Sequence, residues 1–366
     1  MSQQRGQKLL YINNLRILLI TLIVMLHIAI TYGADGSWYY KEHTGDVLSA
    51  VLLTLFTAVV QSFVLGFFFM ISGYFTPGSY SRKGARTYLK DRFIRLGIPL
   101  VIYFFVINPL IVYALYVRPM GYSVPVQDYF GSGPLWFVET LLIFCGGYTL
   151  WKVLNPAKGQ ELKPPPRSKA IVLFVLVLAL ANFMVRIWWP TGESFSNLQF
   201  GYFPGYVSLF VIGIMAYNNT WFDNFSDSVG MSWLKLSVPA IVLFPIIAVA
   251  GGALEDITPF QGGVHWQSLV YSLWEALVGT GLIAGIFVIF RKTYDSQTRF
   301  TRNLSDNAYT VFIIHAPVIV FLSYAIRWLD IFPLVKFILV SVAGVSLCFL
   351  LSHFMVRRIP YSEKVL

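Results

Sequence analysis

Long apolar runs dominate the chain, and its polar and charged positions gather in the intervals between them. A bilayer core of about 30 Å takes roughly 20 apolar residues of helix to cross. On that measure the pattern predicts ten spans, at 9–32, 48–75, 96–116, 135–154, 170–188, 203–217, 234–253, 266–290, 308–328 and 334–354. The sixth opens among Gly201, Pro204 and Gly205, residues that break helices, and carries Gly213 as well. No heptad pattern, tandem repeat or appended soluble domain is visible; Lys163-Pro-Pro-Pro-Arg167 reads as a stiff connector. The first run is too long for a cleaved signal peptide, and no small-residue cleavage motif follows it. The expected fold class is therefore all-α: a polytopic integral membrane protein with about ten transmembrane helices, forming one domain over residues 1–366.

Composition agrees. The chain is 57% hydrophobic and only 12% charged, where a soluble domain carries about 25% charged residues. With a mean hydropathy of +0.66, a soluble enzyme, a disordered chain and a nucleic-acid binder are all disfavoured. Cys145 and Cys348 lie inside apolar runs, so neither a disulfide framework nor a thiolate metal site is expected.

The net charge of +10 acquires its meaning from where it sits. With the N-terminus on the cytoplasmic side, 21 Lys and Arg fall on that side, including Arg5, Lys8, Lys158, Lys235 and Lys364. Five fall opposite or at the span ends there: Lys41, Arg118, Arg186, Arg327 and Lys336. This positive-inside bias predicts cytoplasmic termini in an inner membrane, and makes the charge a topology signal rather than nucleic-acid affinity.

Ionisable residues within the runs are candidates for function, because each costs at least about 2.5–3.5 kcal/mol at membrane depth. They are Arg16 and His27 in the first span, Glu139 in the fourth, Glu275 in the eighth and His315 in the ninth. Arg16 and His27 are eleven residues apart, which at 100° per residue is within about 20° of three turns and about 16 Å along the axis. One helix face thus presents a cation near the inner surface and a titratable base near the outer one. Arg16 can also snorkel to the interface, and a lone intramembrane His can simply bond a neighbouring helix. Either Glu275 or Glu139 can orient the imidazole as the acid of a triad does. Six basic residues between Arg82 and Arg95 suit a phosphate dock, anionic lipid or topology alone. Arg92 and Arg95, at i and i+3, share a helix face.

In this order, several segments resemble landmarks of the membrane-bound acyltransferase-3 family. Asn14-Leu-Arg16, ten residues and His27 match its Arg-x10-His signature, and Phe67-Phe-Phe-Met-Ile-Ser-Gly-Tyr74 its aromatic Ser-Gly-Tyr segment. Arg92-Phe-Ile-Arg-Leu96, Leu135-Trp-Phe137, Tyr206-Val-Ser-Leu-Phe-Val-Ile-Gly213, Trp274-Glu275 and Asn307 through His315-Ala-Pro317 follow in order. The resemblance covers essentially the whole chain and is nearest to the subgroup linked to succinylation of periplasmic glucans.

It implies an O-acyltransferase that takes an acetyl or succinyl group from cytoplasmic acyl-CoA, as substrate and not as a bound cofactor, to a hydroxyl of an extracytoplasmic carbohydrate acceptor. His27 would be the catalytic residue, by general-base or acyl-His chemistry, and Glu275 its orienter. Arg16, Arg92, Arg95, Ser72 and His315 would line the acyl-CoA site. Glu139 and Trp136 would stand on the acceptor side. Glu139 matches no family landmark. The expected partners are membrane lipid, acyl-CoA and a carbohydrate, with no metal and no nucleic acid. A transporter or flippase of a glycan is the competing class, disfavoured because the two halves show no pseudo-repeat and no matching interrupted helices.

Overall fold

The computed structural model describes residues 9–42, 45–117, 124–156, 162–195 and 197–358. Arg5, Lys8, Arg118, Lys158 and Lys364 of the charge pattern lie outside them. Among the described residues nine helical stretches are long and apolar enough to cross a bilayer. One of them, Val47–Tyr116, is 70 residues long and would extend about 105 Å if straight. It turns instead at Gly84, whose φ of 73° lies in the left-handed region that glycine enters without a Cβ penalty. The second and third expected spans are the two arms of this element.

We number the helices α1 (Leu10–Thr31), α2 (Val47–Arg92), α3 (93–117), α4 (Trp136–Leu154), α5 (Ser168–Arg186), α6 (Phe203–Asn218), α7 (Asp227–Ala250), α8 (Trp266–Thr293), α9 (Arg299–Ala325) and α10 (Pro333–Phe354). Short turns of helix at Trp221–Asn224 and Thr258–Gln261 bridge neighbours. The loop after α8 is tied to the start of α1, where the Asn14 amide donates to the carbonyls of Tyr294 (2.7 Å) and Ser296 (2.8 Å). This end of the bundle carries Arg291, Lys292, Arg299 and Arg302 and is called the basic end below. The other end, where Glu42, Asp35 and Gln261 lie, is the far end.

Element boundaries follow local chemistry that hydropathy alone does not register. α7 starts at Asp227, seven residues before the expected apolar run, because the Ser226 hydroxyl caps it by accepting from the Val229 N–H. α9 starts at Arg299 because Thr298 and Thr301 form a reciprocal capping box. In α6, Pro204 does not break the helix. It occupies the first turn, where its missing N–H would have had no partner anyway.

α3 alternates wide π turns at Phe93–Gly97, Tyr103–Ile107 and Tyr113–Val117 with α segments that begin at Ile98-Pro99 and Asn108-Pro109. Each proline removes a backbone donor, and the turn before it opens to accommodate the ring.

Lipid-like helices gain nothing by hiding from lipid, so close backbone approach and small residues must hold the bundle. α2 and α6 meet at Gly73 and Gly213. A Cβ on Gly73 would lie 2.1 Å from the Phe210 carbonyl oxygen, and one on Gly213 would lie 2.0 Å from that of Met70. Neither backbone can retreat, since each is held in its own helix. Gly73→Val and Gly213→Val are each expected to lose about 3 kcal/mol or more through overpacking, read as a lowered unfolding temperature and loss of monodispersity in detergent. Gly146→Ala on α4, where nothing lies within 4 Å of the new methyl, should be neutral or gain about 0.5–1 kcal/mol.

Candidate active site

His27 lies on α1 four residues before its end, and His315 lies at the middle of α9, fully buried. Close packing of α1 against α9 brings the two rings together, with His27 Nδ1 3.3 Å from His315 Nε2. His315 Nδ1 is 2.6 Å from the Phe312 carbonyl oxygen. A carbonyl has no proton to give, so Nδ1 of His315 carries the hydrogen, and its Nε2, when the ring is neutral, is an acceptor. His27 Nδ1 must then be the donor in the next bond. Neutral His27 is thereby left with its lone pair on Nε2, the arrangement a proton acceptor needs.

A third ring completes the arrangement. Trp38, in the loop after α1, stacks on His27 with centroids 3.9 Å apart and planes 22° from parallel. The adjacent residue anchors that loop. The Tyr39 phenol, whose pKa burial pushes up to about 12, stays protonated and donates to Asn108 Oδ1 on α3, while the Asn108 amide donates to the Tyr129 carbonyl at 2.7 Å. The Tyr116 hydroxyl donates to the Tyr39 carbonyl. Asn108 begins the α segment after a π turn, so the irregular winding of α3 serves to aim this side chain at the loop.

His27 lines a cavity of about 520 Å³ that extends toward the far end, between α1, α2, α4, α7 and the loops there. Trp136, Phe137, Tyr202 and Tyr271 supply aromatic walls, and Gln61, Gln199 and Thr57 supply neutral polar groups. At its mouth the Gln261 amide donates to Asp35 Oδ2 at 2.9 Å, joining the loop after α1 to the short helix before α8.

The other sequence candidates fall in three places. Trp136 is in the cavity wall, whereas Glu139, half-buried in the first turn of α4, is not among the lining residues. Glu275 is not the partner of His27. Its Oε2 accepts from Arg186 Nη2 at 2.6 Å and from the Asn182 amide at 2.9 Å. Arg186 also donates through Nε to the Gly201 carbonyl at 3.0 Å and through Nη1 to the Ser272 hydroxyl at 3.1 Å. Its guanidinium lies over the rings of Tyr202 and Tyr271. Two charges buried side by side neutralise each other locally, so Glu275 joins α5 to α8.

Toward the basic end, Arg16 packs over the Phe75 ring at 5.4 Å, and the Arg92 charge is close enough to act on it. Arg92 itself covers Tyr88 at 5.1 Å. Arg95 lies on the first π turn, exposed, and its carbonyl accepts from the Tyr309 hydroxyl at 2.7 Å. Ser72 sits beside the α2–α6 contact and its carbonyl accepts from the Thr76 hydroxyl at 2.8 Å. His315 belongs with His27 and not with these residues. None of Arg16, Ser72, Arg92 and Arg95 lines the 520 Å³ cavity.

Two residues with structural importance appear in the sequence only as cations at span ends. Arg186 is one; Lys336 is the other, buried with its ammonium donating to Glu42 Oε2 at 2.7 Å and to the Leu329 carbonyl at 3.0 Å. A cation placed just inside a span end, with an acid in reach on another segment, was the available signal, but the pairing itself needs the fold.

The sequence profile of the acyltransferase domain matches residues 9–353, and so contains both histidines and, but for the last residue of α10, every numbered helix. The chain belongs to the acyltransferase-3 family. It is similar to the glucans biosynthesis protein C of Salmonella gallinarum (strain 287/91 / NCTC 13346), 21% identical over 343 residues, 88% of this chain and 85% of the relative. It is also similar to that of Salmonella schwarzengrund (strain CVM19633), 22% identical over 386 residues, 98% and 94% of the two chains. No solved structure matches it. This acyltransferase therefore has the two-histidine site as its main candidate for the chemistry.

The Arg186–Glu275 pair gives a separate test of structure. Glu275→Ala leaves a buried guanidinium without its counter-charge and is expected to cost about 3–5 kcal/mol, whereas the double variant Arg186→Met, Glu275→Leu should recover most of that loss. Thermal unfolding of the purified variants in one detergent measures both.

Proposed function

We propose that this acyltransferase moves a short acyl group from acyl-CoA to a hydroxyl of an extracytoplasmic glycan, with Nε2 of His27 as the general base. The observation that carries the reading is the directed hydrogen-bond chain from the Phe312 carbonyl through His315 to His27, which leaves a lone pair on Nε2 of a residue that lines the 520 Å³ cavity. The hydroxyl oxygen attacks the thioester carbonyl carbon. A C–O bond forms, the C–S bond breaks, His27 takes the hydroxyl proton and returns it to the departing thiolate, and CoA leaves as the thiol. General-base assistance of this kind contributes typically 10²–10⁴-fold.

The basic end faces the cytoplasm on the charge asymmetry. Arg16 and Arg92 there hold CoA phosphates, for which paired guanidinium groups are suited, and the acyl arm runs along α1 toward His27. The aromatic and amide walls of the far-end cavity receive the sugar. The relatives' name, which speaks of glucan biosynthesis, supports a carbohydrate acceptor.

Thiol release from acyl-CoA by purified protein in nanodiscs, with a glucan oligosaccharide, tests this. His27→Ala should reduce turnover by 10³-fold or more with an unchanged unfolding temperature; wild-type turnover in that variant ends the proposal. His315→Phe should lower kcat by about 10²-fold, with little change in the Michaelis constant for the donor. The wild-type rate should fall with decreasing pH along a single-proton limb as His27 becomes protonated. Arg16→Ala should instead raise the donor Michaelis constant about tenfold or more while kcat holds.

A further inference from the structure

The walls around His27 bear on which acyl group is transferred. Among the described lining residues of the cavity, the only one that carries a formal charge at neutral pH is Asp35, an acid. The remaining polar lining is amide and hydroxyl, including Thr57, Gln61, Gln199 and Tyr202. The buried cations near the far end are already committed. Arg186 donates to Gly201, Ser272 and Glu275, and Lys336 is held by Glu42 and Leu329. Lys41 is exposed, does not itself line the cavity, and is held at its rim by donating to the carbonyl of the lining residue Gly36 at 3.0 Å.

Resting on the proposed acyl-CoA chemistry at His27, we infer that this enzyme transfers an uncharged acyl group, of the acetyl class, and discriminates against dicarboxylic acyl groups such as succinyl. For the thioester carbonyl to meet His27, the acyl chain must enter this chamber. The second carboxylate of a succinyl group would then stand in a chamber whose one acidic lining residue, Asp35 at the exposed mouth, repels it, with no cation in the described walls to receive it. An unpaired charge at membrane depth is penalised on the order of 100-fold in binding. An acetyl or butyryl chain brings no charge that needs pairing there.

The test is competition for the purified full-length protein in nanodiscs, with a fluorescent CoA conjugate as tracer and acetyl-CoA, butyryl-CoA and succinyl-CoA as competitors. Butyryl has the length of succinyl without its charge, so the comparison isolates the carboxylate. Acetyl-CoA and butyryl-CoA are expected to compete within tenfold of each other, and succinyl-CoA about 100-fold more weakly than butyryl-CoA. Succinyl-CoA within tenfold of butyryl-CoA overturns the inference while leaving the acyl-CoA reading intact. Failure of every acyl-CoA to displace the tracer overturns the acyl-CoA reading and this inference together. In Gln61→Lys, which places a cation in the chamber wall, the gap between succinyl-CoA and butyryl-CoA should narrow at least tenfold; a gap that stays the same in a variant with normal butyryl-CoA affinity also counts against the inference.

Discussion

An imidazole enclosed by apolar helices has a ring that can rotate and a proton that can sit on either nitrogen, and a base is useful only when both are settled. In this protein the Phe312 carbonyl settles them. It takes the Nδ1 proton of His315, which turns the far nitrogen of that ring into an acceptor, which in turn demands the Nδ1 proton of His27. A backbone oxygen one turn back on α9 therefore decides which nitrogen of His27 on α1 keeps its lone pair. Stacking by Trp38 restricts the same ring from its face. The site consequently depends on how α1 and α9 pack and on the loop pinned by Asn108 and Tyr116, and the rest of the bundle can be understood as what keeps those elements in register.

That support comes from two kinds of interaction suited to a membrane interior. Glycine contacts such as Gly73 and Gly213 allow backbones to approach until carbonyls touch the neighbouring helix, gaining dispersion contacts where hydrophobic burial offers nothing. Buried ion pairs such as Arg186–Glu275 and Lys336–Glu42 give specific cross-links between elements remote in sequence. Each pair costs desolvation and is weak evidence for stability, but either partner alone would be far worse. Such pairs thus enforce one arrangement of helices over others, and they remove from circulation the cations that would otherwise change the electrostatics of the chamber.

Several features were legible in the residues. Apolar run lengths locate the membrane-crossing helices, though the starts of α7 and α9 lie well before the expected runs, and the one-face spacing of Arg16 and His27 marks α1 as the element that carries the candidate site. Capping motifs at Ser226 and Thr298 account for the main boundary shifts, and both could have been read. Other features were not. Glu275 looked like the acid of a triad because depth and residue type were all that could be weighed, and a carboxylate's partner depends on the approach of α5 to α8. His315 was grouped with the acyl-CoA residues since its span position said nothing of helix neighbours. The change from α to π winding after Arg92 could not be read either, because it depends on how the chain accommodates Pro99 within the helix.

Hydropathy and charge are sums over consecutive residues, so membrane class, helix placement and the basic bias required no fold. Which buried polar groups find each other is a property of pairs hundreds of positions apart, such as His27 with His315 and Lys336 with Glu42. Only the packing of helices could decide those pairs, because a hydrogen bond reaches about 3 Å, while the sequence constrains distance only along the chain.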